Sequence, residues 1–477
     1  MKKIIAGFIL VFSISLTAQE LVKTTQFKIP KKSESFQIVE EDTKYVTFFF
    51  SNKKTIKSIR FNSNFEIIDS LSVAKNDKEL EDIIGYSITD NVYHTFWSTS
   101  KGEEFISQSF DFKEKKVSSK KHILSLGKEK IIKKITIKNV FYIVTLSENS
   151  SILNFHFFNG NQFDKKSVNL KEKIFYDFKD TKTTLWEVFF ENNPLDIPMP
   201  FETISNDSPA SLTFTSRKKK CYNYGDDFII TLDNNKKVTQ YIKISLIDFS
   251  SKTIIFKQPK IIENSNYANN TNSFLLQNGI VQMKINSDNM VLSFKNLENI
   301  EVKSYTILKD KEIEFRNSEI NQENKNVKNN RVLDKSTQLL RKIHSSNPSV
   351  SCYTKNDVIY LTIGSASVEE DNSAIMVGSM IGGLSGALIG AALTTNYSVN
   401  NLNSYANRKV IYINSLFDAN FNHIAGDAKK LAFDKLRIFA EDNKNLKFKT
   451  IFKLDSNLYF AGIDKETKSY SFYKFTD

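Results

Sequence analysis

One segment recurs seven times in different letters, and it limits what this chain can become more than any other feature. A polar turn is followed at once by a run of β-branched and aromatic residues. The copies are EDTKYVTFFF (Glu41 to Phe50), TDNVYHTFW (Thr89 to Trp97), IKNVFYIVTL (Ile137 to Leu146), YGDDFIITL (Tyr224 to Leu232), LQNGIVQMKI (Leu276 to Ile285), TKNDVIYLTI (Thr354 to Ile363) and LDSNLYFAGI (Leu454 to Ile463). Each reads as a hairpin turn and the strand it feeds. An apolar or alternating segment precedes each copy, and most are followed by a further hairpin, as in RFNSNFEIID (Arg60 to Asp69) and LFDANFNHIA (Leu416 to Ala425). Four short strands per unit result.

The first three turns, at Asp42, Asn91 and Asn139, are 49 and 48 residues apart, the length of a four-stranded propeller blade. The pattern resembles the β-propeller superfamily over nearly all of residues 19–477, without a WD dipeptide, a Kelch diglycine or a sialidase-type Asp box to mark a particular family. The resemblance implies an all-β fold of seven blades; six or eight also fit the intervals. KSYSFYKFTD (Lys468 to Asp477) supplies a third strand to the last unit and no fourth, while TTQFKI (Thr24 to Ile29) stands alone before the first. Pairing the two would close the ring and remove a sheet edge. Longer later intervals call for insertions, expected at Lys171 to Ser211, at Asn317 to Asn330 and over 366–408. Helical spacing appears at Asp334 to His344 and at Ala428 to Glu441, each ahead of a blade's first strand, and predicts helices that cover sheet edges or a propeller face.

The first residues, MKKIIAGFILVFSISLTAQE, carry two lysines, an apolar core from Ile4 to Leu16 and small residues ending at Ala18. That is the layout of a secretory signal peptide over residues 1–18, and it predicts export to the periplasm, the envelope or the exterior. The net charge of +12 is distributed in short lysine runs such as Arg217 to Lys220 and Lys113 to Lys121, which read as solvated turns with at most a weak attraction for anionic polymer or lipid. No nucleic-acid partner is expected. Cys221 and Cys352 are too few for a disulfide framework and are expected as separate buried thiols.

No compact chemical motif appears. The histidines, His94, His122, His156, His344 and His423, are too far apart in sequence for local metal ligation, and HExxH, CxxC and HxH are missing. Gly383-Leu384-Ser385-Gly386 is not a nucleophile elbow, because its glycine falls one place early and no strand leads into it. Acids such as Glu79, Glu81 and Asp82, or Asp226, Asp227 and Asp288, are read as scattered surface carboxylates. The 39 Phe against 2 Trp favour core packing over sugar stacking. No cofactor and no metal are expected.

One stretch breaks the β pattern. In MVGSMIGGLSGALIGAALTTN (Met376 to Asn396), Gly378, Gly382, Gly386 and Gly390 fall four apart, with Ser379, Gly383, Ala387 and Ala391 beside them and Met380, Leu384 and Leu388 on the bulky row. On a helix this is a small face next to a large one. It resembles the glycine zippers of bacterial envelope proteins, which implies insertion into lipid or self-association. Ser373 to Leu393 is 21 uncharged residues, about 31 Å of helix at roughly 1.5 Å per residue. A simple span conflicts with topology, since DVIYLTIGS (Asp357 to Ser365) and KVIYINSLF (Lys409 to Phe417) should pair in one blade. The return segment, with Asn396, Asn400, Asn401, Asn403 and Asn407, is unsuited to hydrocarbon. Three readings follow: shallow insertion into membrane lipid, association with other copies around a polar interior of return segments, or a helix packed on its own propeller.

The function expected from these residues is an exported, envelope-associated interaction scaffold without enzymatic activity, whose zipper meets membrane lipid or another copy and whose propeller face takes a protein or polysaccharide ligand. The alternative is a secreted propeller hydrolase or lyase acting on polysaccharide, which would show carboxylates and a histidine converging at the central mouth.

Overall fold

The computed structural model describes residues 19–31, 33–75, 80–99, 102–190, 201–262, 269–324, 326–368, 397–405, 408–464 and 466–477. Among them, strands assemble into seven sheets of four or five strands and one two-stranded hairpin, Phe175–Tyr176 with Lys182–Thr183. Six of the seven repeated segments become the second strand of their sheet, Val46–Ser51, Val92–Ser98, Val140–Ser147, Gly279–Ile285, Val358–Val368 and Asn457–Ile463, and the other, Asp227–Leu232, is the middle strand of a five-stranded sheet. In three of them the polar turn works because the backbone turns left-handed at both central residues. Asp90 and Asn91 (φ 50° and 62°), Lys138 and Asn139 (46° and 62°) and Asn356 and Asp357 (49° and 61°) hold positive φ at both central positions, which matches the twist of the flanking strands.

Successive sheets pack face to face. Phe36, Phe49, Tyr93 and Phe110 join the first to the second, Phe96, Phe105, Phe141 and Phe158 the second to the third, and Val144, Phe155, Phe228 and Ile230 the third to the fourth. One large cluster runs from the fourth through the sixth. The seventh returns to the first through Phe48, Phe50, Phe61, Phe452 and Phe472. Phenylalanine is therefore the filler between sheets, and the arrangement is propeller-like. Gly85 shows how close the packing is: a Cβ there would lie 2.1 Å from the Phe141 ring of the next sheet.

The chain ends meet as antiparallel neighbours, but the N-terminal strand is Glu20–Thr25, paired with Tyr470–Phe475, and not Thr24 to Ile29. Phe27 and Ile29 instead leave the ladder and pack into the cluster between the seventh and first sheets, where apolar burial outweighs two more ladder bonds. Asn317 to Asn330 is not an insertion either. It forms Ile320–Asn324 and Asn326–Leu333, and the first of these pairs with Arg408–Phe417, completing the sixth sheet from earlier in the chain. LFDANFNHIA makes a single bridge, Phe417 to His423, in place of a hairpin, because that sheet already has its outer strands.

Helices occupy the crossings. They are α1 (Leu185–Phe190), α2 (Leu212–Thr215), α3 (Ser336–His344), α4 (Tyr397–Ser404) and α5 (Ala432–Asp442). Rather than covering a face, α3 is wedged among the sheets, with Leu339, Leu340 and Ile343 fully buried in the cluster of the fifth and sixth. Helix α5 packs Phe433, Leu436 and Phe439 on the seventh sheet and sends Arg437 to the sixth. Among the described residues no helix is long and apolar enough to cross a membrane. Residues 1–18, where a signal peptide is expected, and 373–393, where a zipper helix is expected, lie outside the described residues.

Candidate functional site

The site with the most built structure is the root of the insertion. Strands Val358–Val368 and Arg408–Phe417 pair without a break from Ile359 opposite Phe417 to Val368 opposite Arg408. Residues 369–407 therefore leave and re-enter the sixth sheet at directly opposed positions.

The returning arm is tied down. Helix α4 reads YSVNNLNS, a weak helix former by propensity, and tertiary hydrogen bonds hold it. Asn401 is fully buried; its Oδ1 accepts from the Ser211 N–H (3.0 Å), and its Nδ2 donates to the Pro209 carbonyl (2.8 Å) and Ser208 Oγ (3.2 Å). Ser404 Oγ donates to Ser211 Oγ (2.6 Å), and Thr213 Oγ1 to the Ser404 carbonyl (3.2 Å). Val399, Leu402 and Tyr405 pack on the α5 cluster. Asn401, which the sequence marks as unsuited to hydrocarbon, is thus satisfied within its own chain.

Just beyond α4 lies a buried ion cluster. Glu323 receives Arg408 Nη2 (3.2 Å), Arg437 Nη2 (3.3 Å) and the Tyr412 hydroxyl (2.9 Å). Both guanidiniums lie over the Tyr405 ring, Arg408 at 4.1 Å and Arg437 at 3.9 Å from its centroid. Burial would raise the Glu323 carboxyl, but Arg437, Arg408 and Tyr412 hold it below the usual range. Such a cluster joins the outer strand, the insertion's return and α5 at one point, and removing one partner would strand a charge.

A second anchor reaches the same place. Strand Phe201–Ile204 runs parallel to Lys219–Tyr224 on the inner side of the fourth sheet. Lys133 of the third sheet donates to the Phe201 carbonyl (2.8 Å), and Ser349 Oγ of the sixth to the α2 carbonyl of Leu212 (3.0 Å). Close by, Lys220 and Asp233, both fully buried, pair at 2.8 Å, and Asp233 also accepts from Thr239 Oγ1 (2.7 Å) and from the N–H (3.0 Å) and hydroxyl (2.9 Å) of Ser273. With every acceptor used, this pair locks the fourth sheet to the fifth.

The zipper residues Gly378, Ser379, Met380, Gly382, Gly383, Leu384, Gly386, Ala387, Leu388, Gly390 and Ala391 lie outside the described residues. Asp226 and Asp227, read as scattered acids, form ion pairs with Lys138 (2.7 Å) and Lys243 (2.5 Å). Asp82, read the same way, is only 5% exposed. Cys221 and Cys352 are separate, buried thiols. Glu323, Arg408 and Arg437 gave no signal in sequence, since three charges from distant segments have no spacing to recognise.

No family model and no curated protein matches the sequence. Among solved structures, the chain is similar to a member of the DUF4221 family from Bacteroides vulgatus, with 10% identity over 96% of this chain and 98% of that one and a TM-score of 0.30. It is similar to the WD40 domain of SCAP from fission yeast, with 10% identity over 96% of each chain and a TM-score of 0.28. At these values the likeness carries no functional argument.

Proposed function

We propose that the protein is an exported, envelope-associated interaction scaffold without enzymatic activity: a seven-bladed propeller, closed by its N-terminal strand, that presents segment 369–396 to membrane lipid or to another copy. The observation that carries this reading is the anchoring of both ends of that segment, by the ladder ending at Val368 opposite Arg408 and by α4 through Asn401. A segment held at both ends by a rigid ring can present a small-residue face at a defined place. The leader-like N-terminus supplies the export route.

The test compares the native chain with a variant in which 369–396 is replaced by a short polar loop. Because the flanking strands pair independently of the segment, the variant should fold with a similar melting temperature. It should lose membrane association or oligomerisation that the parent shows. Gly382→Leu with Gly386→Leu should abolish oligomers and leave lipid partitioning in place. Two soluble monomers of equal stability would overturn the proposal, and an unfolded deletion variant would show that the segment belongs to the core.

A further inference from the structure

An exposed aromatic tip stands on the connection between the third and fourth sheets. The hairpin of Phe175–Tyr176 with Lys182–Thr183 buries Phe175 in the cluster between those sheets. Its tip instead turns Phe178 outward, 56% exposed, and Ile174 at its base is 48% exposed. The turn is fixed by its own hydrogen bonds. The Asp177 N–H donates to the Thr181 carbonyl (3.0 Å), and Asp177 Oδ1 accepts from the N–H groups of Lys179 (2.9 Å) and Thr181 (2.8 Å).

This hairpin rests on the turn that follows the repeated strand Asp227–Leu232. The Tyr176 N–H donates to Gln240 Oε1 (2.7 Å), and Asn235 Nδ2 donates to the Asp177 carbonyl (2.9 Å) and to Asp180 Oδ1 (3.1 Å). Lys171, Lys173, Lys179 and Lys182 are exposed on the hairpin, and Lys236 and Lys237 on the turn it is bound to. Lys179 Nζ lies 5.4 Å from the centroid of the Phe178 ring. The acids among them are Glu172, Asp177, which its own turn occupies, and Asp180, paired with Lys237 at 2.6 Å. A positive surplus therefore shares this corner with an apolar tip. The insertion follows Val358–Val368 as this turn follows Asp227–Leu232, so both leave the ring on the face where the repeated strands end.

We propose that this tip docks on an anionic lipid surface, with the Phe178 ring entering the headgroup boundary and the six lysines meeting lipid phosphates. Charge and apolarity together select the partner. A soluble polyanion would satisfy the lysines and leave Phe178 in water, while a neutral bilayer would take Phe178 and leave the lysines without partners. An anionic bilayer does both, since lysine stems lie along the apolar boundary with their charges at the phosphates. The contact uses no residue of segment 369–396, so it goes beyond the scaffold reading and stands or falls apart from it.

The test uses the whole folded chain carrying Phe178→Trp. Trp97 and Trp186 are buried, so the added indole reports on the tip. Vesicles of phosphatidylglycerol mixed with phosphatidylcholine should shift its emission to the blue, and lipid brominated near the headgroup end of its acyl chains should quench it. Phosphatidylcholine alone should do neither. In sedimentation with the anionic vesicles, Phe178→Ser and the pair Lys179→Glu, Lys182→Glu should each weaken binding by about tenfold or more, and added salt should act in the same direction. The comparison is repeated with 369–396 replaced by a short polar loop, which separates the tip from any lipid contact of the insertion. Melting temperatures should not change, because the substituted side chains are exposed. No emission shift on anionic vesicles, the same shift on neutral ones, or binding by the loop-replaced chain that both sets of substitutions leave unaltered would overturn the proposal. So would dextran sulfate binding as tightly as the vesicles with no loss on Phe178→Ser.

Discussion

His94 and His122 stand on neighbouring parts of the second sheet, His94 Nδ1 2.8 Å from Ser109 Oγ and His122 Nε2 2.8 Å from Ser107 Oγ. Burial, first of all, pushes each imidazole down to about 4. Their folded values lie below the unfolded one, so the stability they contribute is present above about 6.5 and is lost as pH falls through about 4; each is worth up to about 3 kcal/mol. Asp82 has the opposite sign. Raised by burial to about 6, it stabilises fully only below about 3.8, and that contribution is lost as pH rises through 6. The double variant His94→Gln, His122→Gln should therefore flatten the acid limb of melting temperature against pH between about 6.5 and 4. Asp82→Asn should raise the melting temperature at pH 8 relative to its effect below pH 4. Equal pH profiles for parent and variants would contradict these assignments.

Among the elements, Glu20–Thr25 has the clearest mechanical duty. It covers the outer edge of Tyr470–Phe475, with Thr24 and Ser471 hydroxyls 3.1 Å apart, and the following Phe27 touches Phe50, Phe61 and Tyr470 at ring distances of 5.8, 5.9 and 5.3 Å. Removing residues 19–30 deletes a strand and the partly buried Phe27 and Ile29 at the seam between first and last sheets, a loss of about 2 kcal/mol or more on packing alone. The truncated chain should melt at a clearly lower temperature, and an unchanged melting temperature would show that the seam holds without it. Helices α3 and α5 answer a different need. Helix α3 leads from Asn326–Leu333 at one edge of the sixth sheet to Asn347–Lys355 at the other, α5 leads from that sheet to Lys447–Leu454 of the seventh, and each fills space between sheets with Leu340 or Leu436.

Over the whole molecule, each seam is apolar and each sheet takes part in two of them, so no sheet can leave without exposing the faces of its neighbours. Calorimetry on residues 19–477 should show one transition whose van't Hoff and calorimetric enthalpies agree. Two resolved transitions would mean that the large cluster of the fourth to sixth sheets melts apart from the rest. The same continuity supports the proposed role, because a ring that unfolds only as a unit keeps the root of the insertion in a fixed place.

The repeated turn and strand were legible because they obey local rules: a left-handed turn favours Asn, Asp and Gly, and a strand packed on both faces favours Phe, Ile and Val whatever their partners. From seven such copies follow an all-β chain of repeated hairpins, the positions of the repeated strands and the pairing of Val358–Val368 with Arg408–Phe417 across a long insertion. The same local rules misplace elements whose position depends on partners. The sixth sheet takes its outer strand from residues before its inner one, a choice made by the pairing of Ile320–Asn324 with Arg408–Phe417; nothing within Asn317 to Asn330 announces it. Phe27 and Ile29 look like strand residues and serve as seam filler. Asn401, Glu323, Arg408 and Arg437 are ordinary polar letters in sequence, and burial among partners from distant segments is what makes them anchors. Tertiary structure alone decided these sites, since the free energy of a buried polar group is set by which other groups share its desolvated surroundings, and those are known only once the chain has closed.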